Sequence, residues 1–455
     1  MSLLLKNISK IVTFNDENQI LENQDIFIKD NQIHSIGKNI TIDENVEVID
    51  CSNLLAMPGF VNTHHHFYQT LFRGIDEVQE KPLFPWLVGL CEFWKHLNPE
   101  AVHYGALVAF TELLRTGCTT SMDHHYLFPN KTSNNLIDEQ IKAASKIGMR
   151  FHAARGSISL GKSKGGLPPD SIIQNEDIIL KDSERLINKY HDNSKFSMKR
   201  IALAPCSPFS VSKNLMIESQ KLARKKGVML HTHLAETKDE EDFCLNMYGK
   251  KPVDLMEEVE WIGSDVWFAH VIHVNDDEIK RLKGCGVSHC PSSNMKLSSG
   301  ICPTTDLLNA GVKLSIAVDG SASNDGSNMW EEVRRSYLLN HLKYGNNGLN
   351  AYEILKCATR GGAEVLGRDD IGILSKNKAA DIVLYDLKDI AYAGCHNPLV
   401  GLVTCGNSSL VKMTIVNGKV IVKDGTLTTL DENLVFEKAN KIATTLVEYE
   451  RKHRL

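Results

Sequence analysis

The chain has 455 residues, of which 42% are hydrophobic and 24% are charged, and its formal net charge is −5 at pH 7. This is the composition of a globular protein with a large core, and the negative charge argues against a nucleic-acid or anionic-membrane partner. The sequence shows neither a membrane-span pattern nor a signal-peptide pattern, so we expect a cytoplasmic protein. The eleven cysteines include no Cys-x-x-Cys pair, and we expect them to be reduced thiols.

The two ends of the chain have the pattern of short strands broken by polar turns. Asn417-Gly418 near the C-terminus is a strong hairpin signal. Neither end carries enough strand for a stable sheet alone. We therefore predict that residues 1–57 and 375–455 combine into one small β-sandwich domain, with a terminal helix in the second part. The predicted strands are 3–14, 25–36, 46–51, 380–385 and 410–422.

Residues 58–374 alternate short apolar strands with longer amphipathic helices, such as 99–116, 214–226 and 275–283. Eight β-then-α units predict an α/β fold in which a parallel (β/α)8 barrel closes on itself. In such barrels the catalytic groups lie at the carboxyl ends of the strands. The predicted barrel strands are 60–63, 119–123, 150–154, 201–204, 228–233, 266–270, 287–290 and 314–319.

Histidines end the first barrel strand, in the sequence His64-His65-His66. Residues i and i+2 of a strand point to the same side, so His64 and His66 can both face the barrel interior. Two imidazoles at that spacing suit a divalent metal with bonds of about 2.0–2.1 Å. A solvated loop of histidines is the alternative explanation of this motif alone.

The fifth strand ends on a second histidine pair, His231 and His233, and Glu236 follows. His233 lies nearer the carboxyl end, so we predict it as the third metal ligand and His231 as a structural core residue. A turn after the strand can bring the carboxylate of Glu236 over the metal. There it can take a proton from a water molecule and pass it to a ring nitrogen of a substrate.

Three more strands stop on residues that are costly to bury without a partner. Asp319 follows the apolar stretch 314–318, and we predict it as the fourth ligand and as an acceptor for the water's proton. His270 ends the sixth strand, where it can polarise the substituent of the attacked carbon, and His289 ends the seventh. Each of these residues alone is compatible with a buried, hydrogen-bonded side chain. Together they predict hydrolysis assisted by one divalent metal, with zinc first and iron as the alternative.

Residues 156–163 match the P-loop pattern G-x-x-x-x-G-K-S and follow a strand. A P-loop needs a helix that begins at the Gly-Lys-Ser, because the N–H groups at that end bind phosphate. The next residues, Lys164-Gly165-Gly166-Leu167-Pro168-Pro169, do not favour a helix. We therefore expect residues 156–170 to cover the barrel mouth as a mobile segment rather than to bind a nucleoside triphosphate.

The combined motifs resemble the amidohydrolase superfamily over nearly the whole chain. This resemblance implies a distorted (β/α)8 barrel flanked by a β sandwich. Many members bind two metals through a carboxylated lysine at the end of the fourth strand, where this chain has Ala204-Pro205-Cys206. The resemblance therefore implies the branch that binds one metal. The motifs are Pro58-Gly59, His64 with His66, His233 with Glu236, His270, Val318-Asp319-Gly320 and Ala379-Ala380-Asp381-Ile382-Val383.

Within that branch, residues 64–71, 83–87, 159–170 and 205–212 are similar to those of 8-oxoguanine deaminases. The resemblance implies deamination of a purine- or pterin-like ring, with 8-oxoguanine to urate plus ammonia as the first expectation. Isoxanthopterin, guanine and S-adenosylhomocysteine are alternative substrates, as is a substituent of an s-triazine. Plain guanine is a weaker expectation, because Cys206-Ser207 stands where guanine deaminases carry an arginine.

The resemblance also implies substrate contacts. Gln69 matches a glutamine that reads the base edge in guanine deaminases, and Arg155 is expected to supply a cation in place of the missing arginine. We predict substrate contacts from these two residues and from His270, Trp94 and His289. Aromatic residues that can stack on a planar ring, most of which we expect to be core, are Phe67, Tyr68, Phe84, Trp86 and Trp94.

Two further hypotheses remain open at this point. One is hydrolysis of a different leaving group, chloride or alkylamine, on a triazine. The other is a catalytically inactive scaffold. Such a protein would be recognised by missing metal ligands, whereas this chain has all four predicted ones. The expected partner is a small heterocyclic molecule, and the family leads us to expect a homo-oligomer, a dimer or larger.

Overall fold

The computed structural model describes residues 2–42, 46–129, 135–405 and 411–454. Leu410, where the predicted late strand begins, lies outside these ranges. Five strands near the N-terminus build the first half of a mainly antiparallel sheet, and a tight turn at Asp30 separates the second strand from the third. They are β1 Ser2–Val12, β2 Ile20–Lys29, β3 Gln32–Gly37, β4 Glu47–Asp50 and β5 Leu54–Pro58.

Eight parallel strands then form a nearly closed barrel in the order of the chain. They confirm all eight predicted barrel strands, with small differences at the ends. They are β6 Phe60–Asn62, β7 Cys118–His125, β8 Arg150–Ser157, β9 Lys199–Pro205, β10 Met229–Leu234, β11 Val266–His270, β12 Gly286–His289 and β13 Lys313–Ile316.

The seam between the first and last barrel strands is bridged by hydrogen bonds just beyond them. The N–H of Val318 donates to Oδ1 of Asn62 at 3.0 Å, and the N–H of Asp319 donates to the carbonyl of His64 at 3.2 Å. Because β13 ends at Ile316, Asp319 lies three residues beyond the strand rather than on it. The backbone there is left-handed, with φ 62° at Asp319.

Four late strands complete the first sheet, which has nine strands in all and joins both ends of the chain as predicted. Strand β14 pairs antiparallel with β5, so the late strands add directly to the early ones. The hairpin predicted at Asn417-Gly418 connects β15 and β16. The late strands are β14 Ile382–Asp386, β15 Met413–Val416, β16 Lys419–Lys423 and β17 Thr426–Leu427.

The predicted helices 99–116, 214–226 and 275–283 are present as Pro99–Arg115, Lys213–Lys226 and Asp276–Arg281, each of which begins after a capping side chain. Asn98 accepts a hydrogen bond from the N–H of Ala101, and Ser212 does so from that of Leu215. The helices are α1 Leu83–Trp94, α2 Pro99–Arg115, α3 Leu136–Ile147, α4 Glu176–Tyr190, α5 Lys213–Lys226, α6 Lys238–Tyr248, α7 Pro252–Glu258, α8 Asp276–Arg281, α9 Pro291–Lys296, α10 Thr304–Asn309, α11 Met329–Tyr344, α12 Ala351–Lys356, α13 Gly362–Val365, α14 Pro398–Thr404 and α15 Glu432–His453. No helix of the described ranges is both long and apolar enough to cross a membrane.

The P-loop pattern does not carry a phosphate-binding helix. After β8 the chain forms two three-residue 3₁₀ helices, Lys162–Lys164 and Asp170–Ile172, and the next α-helix begins at Glu176. The N–H groups of Ser159 and Leu160 both donate to the carbonyl of Ser210, so this segment packs against the loop that follows β9. That it moves over the barrel mouth stays a prediction.

Candidate active site

Two histidines at the carboxyl end of the barrel are held in the same tautomer. Nδ1 of His66 donates to the carbonyl oxygen of His124 at 2.9 Å, and Nδ1 of His233 donates to that of Cys206 at 2.6 Å. A carbonyl oxygen only accepts, so each Nδ1 carries the hydrogen and each Nε2 keeps a free lone pair. Both rings therefore offer Nε2 as a metal ligand.

His64 is held in this tautomer through a second histidine. Nδ1 of His231 donates to the carbonyl of Trp267 at 3.0 Å, so Nε2 of His231 accepts the hydrogen bond from Nδ1 of His64 at 2.9 Å. Nε2 of His64 is buried and has no hydrogen-bond partner among the residues described. His231, predicted as structural, thus sets which nitrogen of His64 is free.

The free ligand atoms lie at the spacing of a metal site. Nε2 of His66 is 3.2 Å from Nε2 of His233, and Oδ1 of Asp319 is 3.3 Å from Nε2 of His64 and 3.4 Å from Nε2 of His66. Ligand atoms around a tetrahedral ion with bonds of about 2.0–2.1 Å are separated by about 3.3–3.4 Å. Facing lone pairs at this distance repel one another unless a cation lies between them. The three histidines and Asp319 therefore fit one divalent metal ion.

The electrostatics of the site favour neutral imidazoles and an ionised carboxylate. Burial lowers the pKa of His64, His66 and His233, so all three remain neutral near pH 7. Burial acts to raise the pKa of Asp319, but the neighbouring imidazoles, that of His64 foremost, outweigh it and hold that pKa well below its usual range. These are the protonation states that metal ligands require.

Glu236 and His270 form a second polar group beside the ligands. Nε2 of His270 lies 3.6 Å from Oε2 of Glu236 and 3.8 Å from Oδ2 of Asp319. Burial raises the pKa of Glu236 to about 7. Burial also acts to lower the pKa of His270, but the carboxylates of Glu236 and Asp319 outweigh it, so that pKa is raised. Near neutral pH this pair can therefore both donate and accept protons.

Sequence reasoning missed three residues that hold these groups. Asn294 of α9 accepts the hydrogen bond from Nδ1 of His270 at 2.8 Å, and Glu240 of α6 binds the backbone at Glu236. His124, whose carbonyl fixes His66, lies on the part of β7 that extends beyond the predicted strand. An acidic residue in the first turn of a helix normally indicates ordinary capping, so only the folded arrangement shows what Glu240 does.

A cavity opens next to the ligands. Its polar wall includes Gln69, Tyr126, Cys206, Glu236, His270 and Ser323. Helix α1 and two neighbouring loops supply an apolar wall, formed by Leu83, Trp86, Leu87, Phe209 and Leu297. No Lys or Arg belongs to the described lining.

Two of the five predicted substrate contacts line the cavity, Gln69 and His270. Gln69 Oε1 accepts a hydrogen bond from the N–H of Ala322 at 3.2 Å, and a Cβ at position 320 would overlap the amide of Gln69, so the glycine there leaves room for that amide.

The other three predicted contacts lie behind the cavity wall. Nε of Arg155 donates to Asp182 at 2.7 Å, and the guanidinium lies over the ring of Phe128 at 3.8 Å. Trp94 is fully buried and packs edge-to-face on Trp86 at 5.7 Å, so Trp86 rather than Trp94 lines the cavity. His289 is buried and is not part of the lining.

The fold and the site have counterparts among known proteins. The chain is 47% identical to the 8-oxoguanine deaminase of Pseudomonas aeruginosa over 88% of this chain and 89% of that protein. It is 35% identical to the hydroxydechloroatrazine ethylaminohydrolase of Pseudomonas sp. strain ADP, over 93% and 91% of the two chains. Its structure is similar to that of atrazine chlorohydrolase from Arthrobacter aurescens TC1 complexed with zinc, with TM-score 0.94, 32% identity and coverage of 97% and 100%. Residues 55–421 match the model of the amidohydrolase family, and the chain therefore belongs to this family of hydrolases.

Proposed function

We propose that this protein catalyses the metal-dependent hydrolytic deamination of a purine- or pterin-like heterocycle, with 8-oxoguanine to urate plus ammonia as the first candidate. One observation carries this proposal: a set of free ligand atoms, 3.2–3.4 Å apart, lies beside a glutamate whose pKa is about 7. The 47% identity to an 8-oxoguanine deaminase supports the choice of ring. Isoxanthopterin, guanine and S-adenosylhomocysteine are the alternatives.

His64, His66, His233 and Asp319 are the proposed ligands of one divalent ion. Zinc is the first choice, because imidazole and carboxylate ligands at this spacing suit it and because a similar protein is a zinc complex, while iron suits the same set. When bound, such an ion acts as a Lewis acid that lowers the pKa of a water molecule toward about 7.

Glu236 is the proposed proton carrier. Its carboxylate takes one proton from the attacking water and delivers it to the ring nitrogen, while the new C–O bond forms at the amino-bearing carbon. The same carboxylate then transfers the second proton of the water to the amino group, the C–N bond breaks, and ammonia leaves a ring carbonyl behind. Asp319 stays ionised throughout because its pKa is low, so we assign the water's proton to Glu236 rather than to Asp319, the acceptor predicted from the sequence. His270, with its raised pKa, donates to the oxygen on the attacked carbon.

The cavity supports an uncharged substrate. Its described lining holds no Lys or Arg that would pair with a carboxylate or phosphate remote from the metal ligands, which speaks against S-adenosylhomocysteine. Gln69 is the proposed contact to the ring edge. We assign Arg155 a structural role, because Asp182 and Gln174 already bind its guanidinium.

The remaining elements of the proposal concern the whole chain. We propose that residues 58–374 form the catalytic barrel, and that residues 1–57 and 375–455 form the β domain. We further propose that the protein acts in the cytoplasm, in purine metabolism, as a dimer or larger homo-oligomer.

A side-by-side screen tests the function. Metal-replete protein is incubated with 8-oxoguanine, guanine, isoxanthopterin, S-adenosylhomocysteine and hydroxyatrazine, and ammonia and product mass are measured. We expect ammonia and urate from 8-oxoguanine, loss of activity with a chelator, and near-complete inactivity of Glu236→Gln and Asp319→Asn. Release of alkylamine or chloride alone would indicate a triazine hydrolase instead. Absence of any product, together with a metal-free protein, would indicate an inactive scaffold.

A further inference from the structure

A residue of the cavity's apolar wall carries an unsatisfied donor. Trp86 of α1 lines the cavity and is 3% exposed, and its Nε1 has no hydrogen-bond partner in the part of the chain that the structure describes. An indole N–H can only donate, and a buried donor without an acceptor destabilises the protein. A ligand that brings an acceptor to this position removes that cost on binding.

The matching acceptor is uncharged. No Lys or Arg stands in the described lining, and the carboxylates of Glu236 and Asp319 belong to the same cavity and repel an anion. A carbonyl oxygen is the neutral acceptor that heterocyclic amides commonly carry. The donor therefore fits a ring carbonyl better than a carboxylate or a phosphate.

The position of this carbonyl on the substrate ring follows from where the reacting carbon must lie. The carbon that loses ammonia must lie at the strand ends, within reach of Glu236 and His270. The end of the ring that is remote from this carbon then faces the apolar wall of the cavity, to which α1 contributes Trp86. In a purine that is deaminated at C2, the remote end is C8.

We propose, on the basis of the function proposed above, that the indole N–H of Trp86 donates to the C8 carbonyl oxygen of an oxidised purine. Trp86 is thereby a specificity-determining residue that separates the oxidised base from guanine, which has no acceptor at C8. Only the N–H distinguishes the two bases in this way, because the indole ring itself is part of the apolar wall for either of them.

Trp86→Phe tests this, since it keeps an aromatic ring and removes the donor. We expect the ratio of kcat/KM for 8-oxoguanine to that for guanine to fall by about 3- to 10-fold, the effect of one neutral hydrogen bond. Trp94→Phe is the matched control, because Trp94 is also buried with an unpartnered Nε1 but does not line the cavity. Its ratio should equal that of the wild type. The proposal would be overturned if Trp86→Phe lowered kcat/KM equally for both substrates. It would also be overturned if the two variants changed the ratio of kcat/KM values to the same extent.

A binding measurement separates this proposal from the proposed reaction. Calorimetry of 8-oxoguanine and guanine with metal-replete Glu236→Gln, with and without Trp86→Phe, needs no turnover. If the screen finds no deamination, the proposed function fails, but a preference for 8-oxoguanine that Trp86→Phe abolishes still supports the role of Trp86. If the two rings bind equally well before the substitution, the role of Trp86 is disproved whatever the screen finds.

Discussion

The buried carboxylate of Glu240 accepts hydrogen bonds from two successive backbone N–H groups, those of Ala235 at 2.8 Å and Glu236 at 2.9 Å. Ala235 has φ 51°, in the left-handed region that residues other than glycine rarely adopt. This conformation turns the chain at the end of β10 and directs Glu236 toward the metal ligands. Glu240 is thus a positioning residue that stabilises a strained turn.

Glu240→Gln should weaken this support, because an amide presents one acceptor oxygen and one NH₂ group to two donors. We expect kcat to fall by about tenfold or more, the effect of losing one charge-assisted hydrogen bond, whereas KM changes less. Steady-state kinetics with 8-oxoguanine on protein of verified metal content measure both constants.

Glu241→Gln is the matched control for this prediction. Glu241 is the next residue of α6, and it binds Lys251 at 3.1 Å instead of the turn. Its variant should keep wild-type kcat. Full activity of Glu240→Gln, with the metal retained, would show that the turn does not need the carboxylate.

His231→Phe should weaken metal binding without touching a ligand. Without the acceptor of His231, Nδ1 of His64 loses the partner that fixes its tautomer and ring orientation. Loss of such a supporting contact typically lowers metal affinity by about 10- to 100-fold. Elemental analysis after dialysis against graded chelator concentrations measures the change, and circular dichroism verifies the fold.

His289→Phe serves as the comparison for that measurement, because His289 is also a buried barrel histidine, and the histidine that lowers its pKa is His270 rather than His64. It should retain metal as the wild type does. Equal retention by His231→Phe would show that the barrel alone orients His64.

The pH dependence of kcat/KM should report Glu236. Burial raises its pKa from about 4.5 to about 7, so the carboxyl group is protonated below that pH and cannot take the proton of the water. Activity is therefore expected to fall tenfold per pH unit below about pH 7, and to fall again at high pH where His270 loses the proton that it donates. Profiles with two substrates of different pKa separate enzyme from substrate ionisation. An acidic limb centred near pH 4.5 would contradict this assignment.

The barrel and the clustering of the proposed ligands could be predicted because the signals are local. Each strand is a run of buried apolar residues, and a histidine or aspartate at its end interrupts that run visibly, as at His233 and His270. That these side chains lie together follows once the carboxyl ends of parallel strands are known to meet. By contrast, the contact between His64 and His231 joins residues 167 positions apart, and only the closed barrel brings them together.

The substrate contacts were less predictable for geometric reasons. Trp86 and Trp94 are eight residues apart on α1, so their side chains differ in direction by about 80°. Which of them reaches the cavity depends on how the helix is rotated against the barrel, which the sequence does not show.

Arg155→Met should reduce stability rather than substrate binding. Its Nε donates to Asp182 at 2.7 Å and its Nη2 donates to Gln174 at 3.0 Å, so the substitution leaves the buried Asp182 with Arg185 as its neighbouring cation. We expect the free energy of unfolding in urea to fall by about 2 kcal/mol. The KM of the folded enzyme should not change.

The double variant Arg155→Met with Asp182→Leu distinguishes the two roles of Arg155. Removing both partners leaves no unpaired charge, so the double variant should regain part of the stability that the single variant loses. An increase in KM at unchanged stability would instead mean that Arg155 reaches the substrate, as the sequence first indicated. The ion pair with Asp182 makes the structural role the expected one, because a guanidinium already bound to a carboxylate has little free capacity to bind a neutral ring.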